Sequence, residues 1–345
     1  MTMRAGLPTP LFLLLASMGV QGIVRAADAG SLPQHLADTG LYVSGSVSQL
    51  QPGVLQFSPQ YPLWSDGASK HRWIKLPPGT SVDAALPDAW DFPRGTKLWK
   101  EFSHGGRVET RYIERGMDGI WRYASYVWNA NGTDAVLAPA AGIRDLPVPG
   151  MRYSIPAQDD CRACHEGAPV PVLGFSAMQL SPARDPHAPH ADAANAASPT
   201  DLQTLTARGL LKNLPPELLV DPPRIAAKND TERAALGYLH GNCGHCHNDD
   251  GPLAVLEMSM AQRVGTKTST DAVIRSLAGV RSEFRMPGGA ARVTPGHPES
   301  SVVALRMHSR ESREQMPPLG TAAIDVEALS LIGRWIEGLS VQQSE

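Results

Sequence analysis

Apolar and polar positions alternate through residues 31–149. Val108, Thr110 and Tyr112 alternate with Glu109, Arg111 and Ile113, and Trp121, Tyr123, Ser125 and Val127 alternate with Arg122, Ala124, Tyr126 and Trp128. A period of two predicts strands, and Met117-Asp118-Gly119 between the runs predicts a hairpin turn. Residues 72–76 and 96–102 are further strand candidates, set off by Pro77-Pro78-Gly79 and Pro93-Arg94-Gly95. Many short strands with Pro/Gly turns predict an all-β domain of sandwich or jelly-roll type. Six of the seven tryptophans lie from Trp64 to Trp128. Alternating strand positions bury aromatics by default, so they predict an aromatic core rather than a sugar-binding platform.

From residue 201 the period becomes helical. Ser198 or Thr200 is placed to cap a helix running through Leu205 to Leu210 and Leu211, which Pro215-Pro216 stops. Asp230 or Thr231 caps a second helix, whose Ala235, Tyr238 and Leu239 share a face. Residues 271–278 and 298–307 read as shorter helices. Asp325 caps the last one, where Leu329, Ile332, Gly333 and Ile336 form a stripe widened by Ala328, Leu331, Trp335 and Leu339. The pattern predicts a multidomain chain: an N-terminal all-β domain over 31–149 and a C-terminal all-α domain over 201–345. Between them, residues 150–200 carry an irregular stretch and a Pro/Ala/His-rich surface loop beginning at Pro182.

Composition narrows the class. At 345 residues, 42% hydrophobic and 19% charged, the chain has the make-up of a globular protein. A formal charge of −3 gives no basic field for nucleic acid. Residues 1–26 read as a secretory signal peptide: Arg4, the apolar run from Leu11 to Val20, and the small-x-small end Val24-Arg25-Ala26. The run is short for a bilayer span, so membrane association would require an uncleaved segment. Cleavage after about Ala26 places the mature chain in the periplasm.

The four cysteines fall in two boxes, Cys161-Arg162-Ala163-Cys164-His165 and Cys243-Gly244-His245-Cys246-His247. Each reads as a c-type haem attachment site. Two thiols three positions apart reach the two vinyl groups on one edge of a haem, and the adjacent imidazole lies under the iron. Paired zinc-binding Cys-x-x-Cys motifs are spaced by about 15–20 residues, whereas 78 separate Cys164 from Cys243. A disulfide or redox Cys-x-x-Cys does not explain a histidine closing both boxes. Two covalent haems are expected, in the extracytoplasmic compartment that the leader also implies.

A sixth iron ligand separates electron carriage from catalysis. Met316, 69 positions beyond His247 in Gln315-Met316-Pro317-Pro318, is the candidate for the second haem, with Met286 and Met307 behind it. A thioether opposite histidine raises the potential. For the first haem Met151, Met178, His71, His104, His187, His190 and His240 are all conceivable, and an open iron is the alternative. His245 is expected at the surface or against a propionate rather than on iron. Helix, box, ligand loop and final helix follow the order of a class I cytochrome c domain, with Gly237 and Gly333 as the small positions where the terminal helices cross.

The chain resembles a family of exported bacterial di-haem c-type cytochromes. The matching stretches are Tyr61-Pro62-Leu63-Trp64-Ser65-Asp66-Gly67-Ala68, Leu76-Pro77-Pro78-Gly79-Thr80, both boxes, Leu173-Gly174-Phe175-Ser176 and Met316-Pro317-Pro318. The resemblance implies haem at Cys161, Cys164 and His165 and at Cys243, Cys246 and His247, with Met316 as second-haem ligand. Bacterial di-haem peroxidases have a similar length and two such boxes, but lack the β-rich region before the first.

The leading expectation is a periplasmic carrier of single electrons between a redox partner protein and the respiratory chain. The alternative is a peroxidase-like oxidoreductase whose first haem is open. A third treats the β-rich region as a module that docks the cytochrome on a partner or polymer.

Overall fold

The alternating runs pair into one antiparallel sheet. The computed structural model describes residues 31–148, 150–191 and 200–340. Its strands are Leu55–Gln56 (β1), Ser69–Lys75 (β2), Val82–Asp83 (β3), Lys97–Ser103 (β4), Arg107–Arg115 (β5), Trp121–Trp128 (β6), Ala135–Leu137 (β7), Ile143–Val148 (β8), Met151–Ile155 (β9) and Leu211–Lys212 (β10). The six-stranded sheet runs β1-β2-β4-β5-β6-β7, while β8 pairs with β9 and β3 with β10. The β5–β6 hairpin pairs Glu109 with Val127 through to Arg115 with Trp121. Asp118 closes its turn by accepting from the Ile120 amide at 2.9 Å, and Gly119 supplies φ +87°.

Both faces of the sheet carry a core, and polar strand residues such as Lys70, Arg72, Glu101, Glu109 and Thr110 are buried with them. On one face Trp73, Trp99 and Tyr112 stand in a cross-strand row and pack on Leu36 and Leu41 of the N-terminal stretch; the Trp99 indole donates to Thr39 at 2.9 Å. On the other, Ile74, Leu98, Ile113 and Tyr123 form a row covered by Phe57, Trp90, Phe92 and Phe175. A second layer exists, but loops and short helices build it. The sandwich or jelly-roll expectation is corrected on this point: β3, β8, β9 and β10 form two-stranded pairs and do not join into a second sheet. The tryptophans also divide. Trp73, Trp99 and Trp128 enter one core, and Trp90 and Trp121 enter or abut the other.

The helices are Gln158–His165 (α1), Leu202–Ala207 (α2), Glu217–Val220 (α3), Asp230–Asn242 (α4), Ser269–Leu277 (α5), Val302–His308 (α6) and Val326–Glu337 (α7). Asp201, Asn229 and Asp325 cap α2, α4 and α7 through their side chains. The first two caps lie next to the positions read from the sequence, which is the usual error at helix ends. The helix expected to run through Leu211 stops at Ala207, because Leu211–Lys212 becomes β10 and pairs in parallel with β3. Leu202, Leu205, Leu211 and Leu218 thus belong to the sheet's core. The expected boundary at 201 is not where packing divides. Helical packing proper begins with α4, which shares a core with α7 through Leu236, Leu239, Ile332 and Trp335. The chain from Leu32 on makes one compact unit. Residues 1–26, read as a leader, lie outside the described residues. Among the described ones no helix is long and apolar enough to cross a membrane.

Candidate functional site

Both cysteine boxes sit on helical turns. The first, expected in an irregular stretch, occupies α1, where Asp159 and Asp160 stand in the first turn and the Asp160 carboxylate accepts from the Ala157 amide at 2.9 Å. Acidic groups there complement the helix dipole. The spacing i, i+3, i+4 puts Cys161, Cys164 and His165 on one face, laid over the sheet with the His165 ring 5.4 Å from that of Tyr123. The second box continues from α4: the Cys243 carbonyl accepts from the amides of Cys246 and His247 at 3.1 and 2.8 Å. Cys243, Cys246 and His247 therefore share a face as well.

The two boxes touch. Cys246 Sγ lies 4.0 Å from the Ala163 carbonyl oxygen, and a Cβ at Gly167 would stand 3.1 Å from the carbonyl oxygen of His245. Buried Asn248 stitches them, its amide donating to the carbonyls of Gly167, Gly244 and His245 at 2.8, 3.0 and 3.2 Å. On the other side of the box, Asn242 accepts from the Trp64 amide at 2.7 Å and donates to Pro62 at 3.3 Å. The sequence reading missed both. Their signal was an asparagine on either side of the second box.

Residues 61–66 form a strap across α4. The Tyr61 ring sits where a side chain at Gly237 would be, and the Tyr61 carbonyl where one at Gly241 would be; Tyr61 exchanges backbone hydrogen bonds with the Gln179 side-chain amide at 2.9 and 3.1 Å. Its hydroxyl donates to buried Asp185 at 3.3 Å. Gly237 is thus a seat for Tyr61 rather than a helix crossing, and a Cβ at Gly333 would meet only Pro298, at 4.0 Å. The loop from Pro182, expected at the surface, tucks Asp185 and Ala188 inside; residues 192–199 lie outside the described ones. Asp66 ends the strap by accepting from the amides of Ala322 and Ala323 at 2.8–3.1 Å, which ties down the segment that follows Met316.

Strap, sheet, boxes and C-terminal segments enclose a mostly apolar cavity of about 680 Å³. That volume is in the range of small-molecule and cofactor sites, ~300–1,000 Å³. Cys164, His165, Cys243, Cys246 and His247 line it, with Met258, Met260, Met307 and Met316 on the second-box side. Cys161 packs under the edge of the sheet's core. The Met316 amide donates to the Arg306 carbonyl at 3.0 Å, so α6 holds that backbone in place.

The four cysteines are free thiols. Burial pushes Cys161 and Cys246 up to about 11 and Cys243 up to about 12, and it raises Cys164 against the pull of Arg111. Such thiols stay protonated. Among the described residues no group of three or more His, Cys, Asp or Glu is placed to hold a metal ion. Burial lowers His165 and His247 to about 4, aided at His247 by Arg306 and Arg292. Both imidazoles are neutral near pH 7. His165 Nδ1 lies 2.6 Å from the Pro171 carbonyl oxygen. That oxygen only accepts, so Nδ1 carries the proton and Nε2 keeps its lone pair. His247 Nδ1 is shielded and has no hydrogen-bond partner.

No protein-family model, curated protein or solved structure matches the chain. The site rests on its own geometry.

The remaining sequence candidates scatter. Met178 is buried in the α4–α7 core; His190 binds Asp325 at 2.9 Å and His187 faces Asp230 at 3.6 Å. His240 accepts from the Gln262 amide at 3.1 Å. His71 stacks on Trp73, and His104 packs on Tyr153. None of these lines the cavity, nor does Met286, and the side chain of Met151 lies outside the described residues. His245, expected at the surface or against a propionate, lines the cavity with Nδ1 shielded and unpartnered. Burial lowers it to about 4, with His165 and His247 adding to the effect.

Proposed function

We propose that the chain is an exported di-haem c-type cytochrome carrying single electrons between a redox partner protein and the respiratory chain. The observation that carries this reading is the convergence of both boxes on one apolar cavity, with the Cys246 sulfur against the Ala163 carbonyl. When bound, each haem supplies a one-electron iron couple. Protonated thiols at Cys161, Cys164, Cys243 and Cys246 suit attachment: each S–H adds across a vinyl C=C, the sulfur bonding one carbon and the hydrogen going to the other, with no net oxidation. Neutral His165 and His247 present lone pairs to an iron. Met316, held by α6 and by Asp66 beyond it, would hold the second haem together with His247, and the segment from α4 through α7 would then act as a cytochrome c-like unit. Touching boxes favour rapid passage between the two groups.

A second reading is favoured by one observation: none of the first-haem ligand candidates with a described side chain lines the cavity. An open first iron would make the chain a peroxidase-like oxidoreductase. Absorption and EPR spectra of the haem-loaded protein separate the two. Two low-spin haems, with a methionine-to-iron band lost in Met316→Ala at unchanged haem content, support the carrier. One high-spin haem with peroxide turnover supports the enzyme, and retention of the band in Met316→Ala contradicts the assignment of that ligand.

A further inference from the structure

The sheet face beneath the first box carries a charge pattern that the core does not need. Arg72 on β2, Lys100 on β4 and Arg111 on β5 stand directly opposite one another in register. All three line the cavity. Like charges facing each other across strands destabilise a sheet, and the neighbouring row of Ile74, Leu98 and Ile113 shows what packing alone selects here.

Compensation at Lys100 is partial. Glu109, fully buried, accepts through Oε1 from Arg111 at 2.6 and 3.0 Å and from the Tyr153 hydroxyl at 2.6 Å. Its other oxygen has no hydrogen-bond partner, so Lys100 does not donate to it. The Phe102 ring receives Arg111 at 4.3 Å and Lys100 at 4.9 Å, a cation–π contact for each. Arg72 and Arg111 stand opposite Lys100 on the two neighbouring strands and with Lys70 act on its amine as cations, against the carboxylate of Glu109, which Arg111 already engages. A buried charge without its own counter-ion is costly, and an anion entering the cavity removes that cost.

We propose that the Arg72–Lys100–Arg111 row is an anion site that takes a carboxylate, its guanidinium groups suited to hold the planar group and Lys100 to neutralise it. Two sources carry this chemistry: the propionate edge of a haem at the first box, which rests on the reading proposed above, and a free small organic acid, which does not.

The experiment uses the mature, haem-loaded protein with Lys100→Gln and Lys100→Arg. Arg111 is left alone because its removal would strand buried Glu109. Acetate and inorganic phosphate are titrated at constant ionic strength, followed by calorimetry and by the visible spectrum. Saturable acetate binding that weakens tenfold or more in Lys100→Gln and returns in Lys100→Arg assigns the row to a free acid. No binding of either anion, with Lys100→Gln lowering the reduction potential of one haem at unchanged ligation spectra and Lys100→Arg restoring it, assigns the row to a propionate. The proposal is overturned if neither anion binds and the potentials do not move, and all the more if Lys100→Gln melts higher than the parent. If the protein carries no covalent haem, the di-haem reading fails by itself and the acetate titration alone decides the row. Should Lys100→Gln not fold, Lys100→Met, which removes the same charge at similar volume, takes its place in the same titrations and potential measurements.

Discussion

Asp88 reaches from the β-rich part to the backbone of the helical part, its carboxylate accepting from the Val264 amide at 3.0 and 3.2 Å. Burial raises it to about 6, against the pull of that amide and of Arg263. An unfolded aspartate titrates near ~3.9, so between about 4 and about 6 the folded chain binds more protons than the unfolded one. Stability therefore falls as pH rises through that window and levels off above it. Thermal unfolding of Asp88→Asn is expected to lack this component and to gain on the parent from pH 4 to 7; parallel profiles would contradict the assignment. At this scale the sequence singled out Cys164, His165, Cys243, Cys246, His247 and Met316, which the fold brings to one cavity. It was silent on Asn242, Asn248 and Lys100, whose roles depend on partners far away in the chain. For His245 it left surface and propionate contact both open, and only the fold places that residue on the cavity.

Helix α4 is the element on which the site is assembled. It leads into the second box, packs on α7, and receives the Tyr61 strap in the groove left by Gly237 and Gly241. A methyl group at Gly237 overlaps the Tyr61 ring, so Gly237→Ala is expected to cost about 1–3 kcal/mol, as overpacking does. Gly333→Ala, with Pro298 alone nearby, is expected to be near neutral or mildly stabilising. Chemical denaturation of the pair tests this, and equal effects would contradict it. Strands and helices with strong periods, such as the β5–β6 hairpin, α4 and α7, were legible in the sequence. The end of α2 was not, because Leu211 satisfies a helical stripe equally well and only pairing with Val82 makes it a strand.

At the scale of the whole molecule, the β-rich region is a wall of the site. Leu98, Lys100 and Ile113 from the sheet line the same cavity as His165 and His247, and α2 and α3 pack into the sheet's core. A separable docking module over residues 31–149 does not fit this packing, since its removal would open the cavity. The expected layers were wrong in kind because composition and alternation report buried strands without saying what covers them. Here loops and short helices do. The proposed di-haem function adds a demand on the whole chain: four thiols and two imidazoles must each serve one of two bound groups. The intact mass of the protein, read together with its pyridine haemochrome spectrum, tests this most directly. The account predicts the polypeptide plus two haems, falling to one in the double variant Cys161→Ser/Cys164→Ser and to one in Cys243→Ser/Cys246→Ser. A bare polypeptide mass from cells that mature other c-type cytochromes would contradict it.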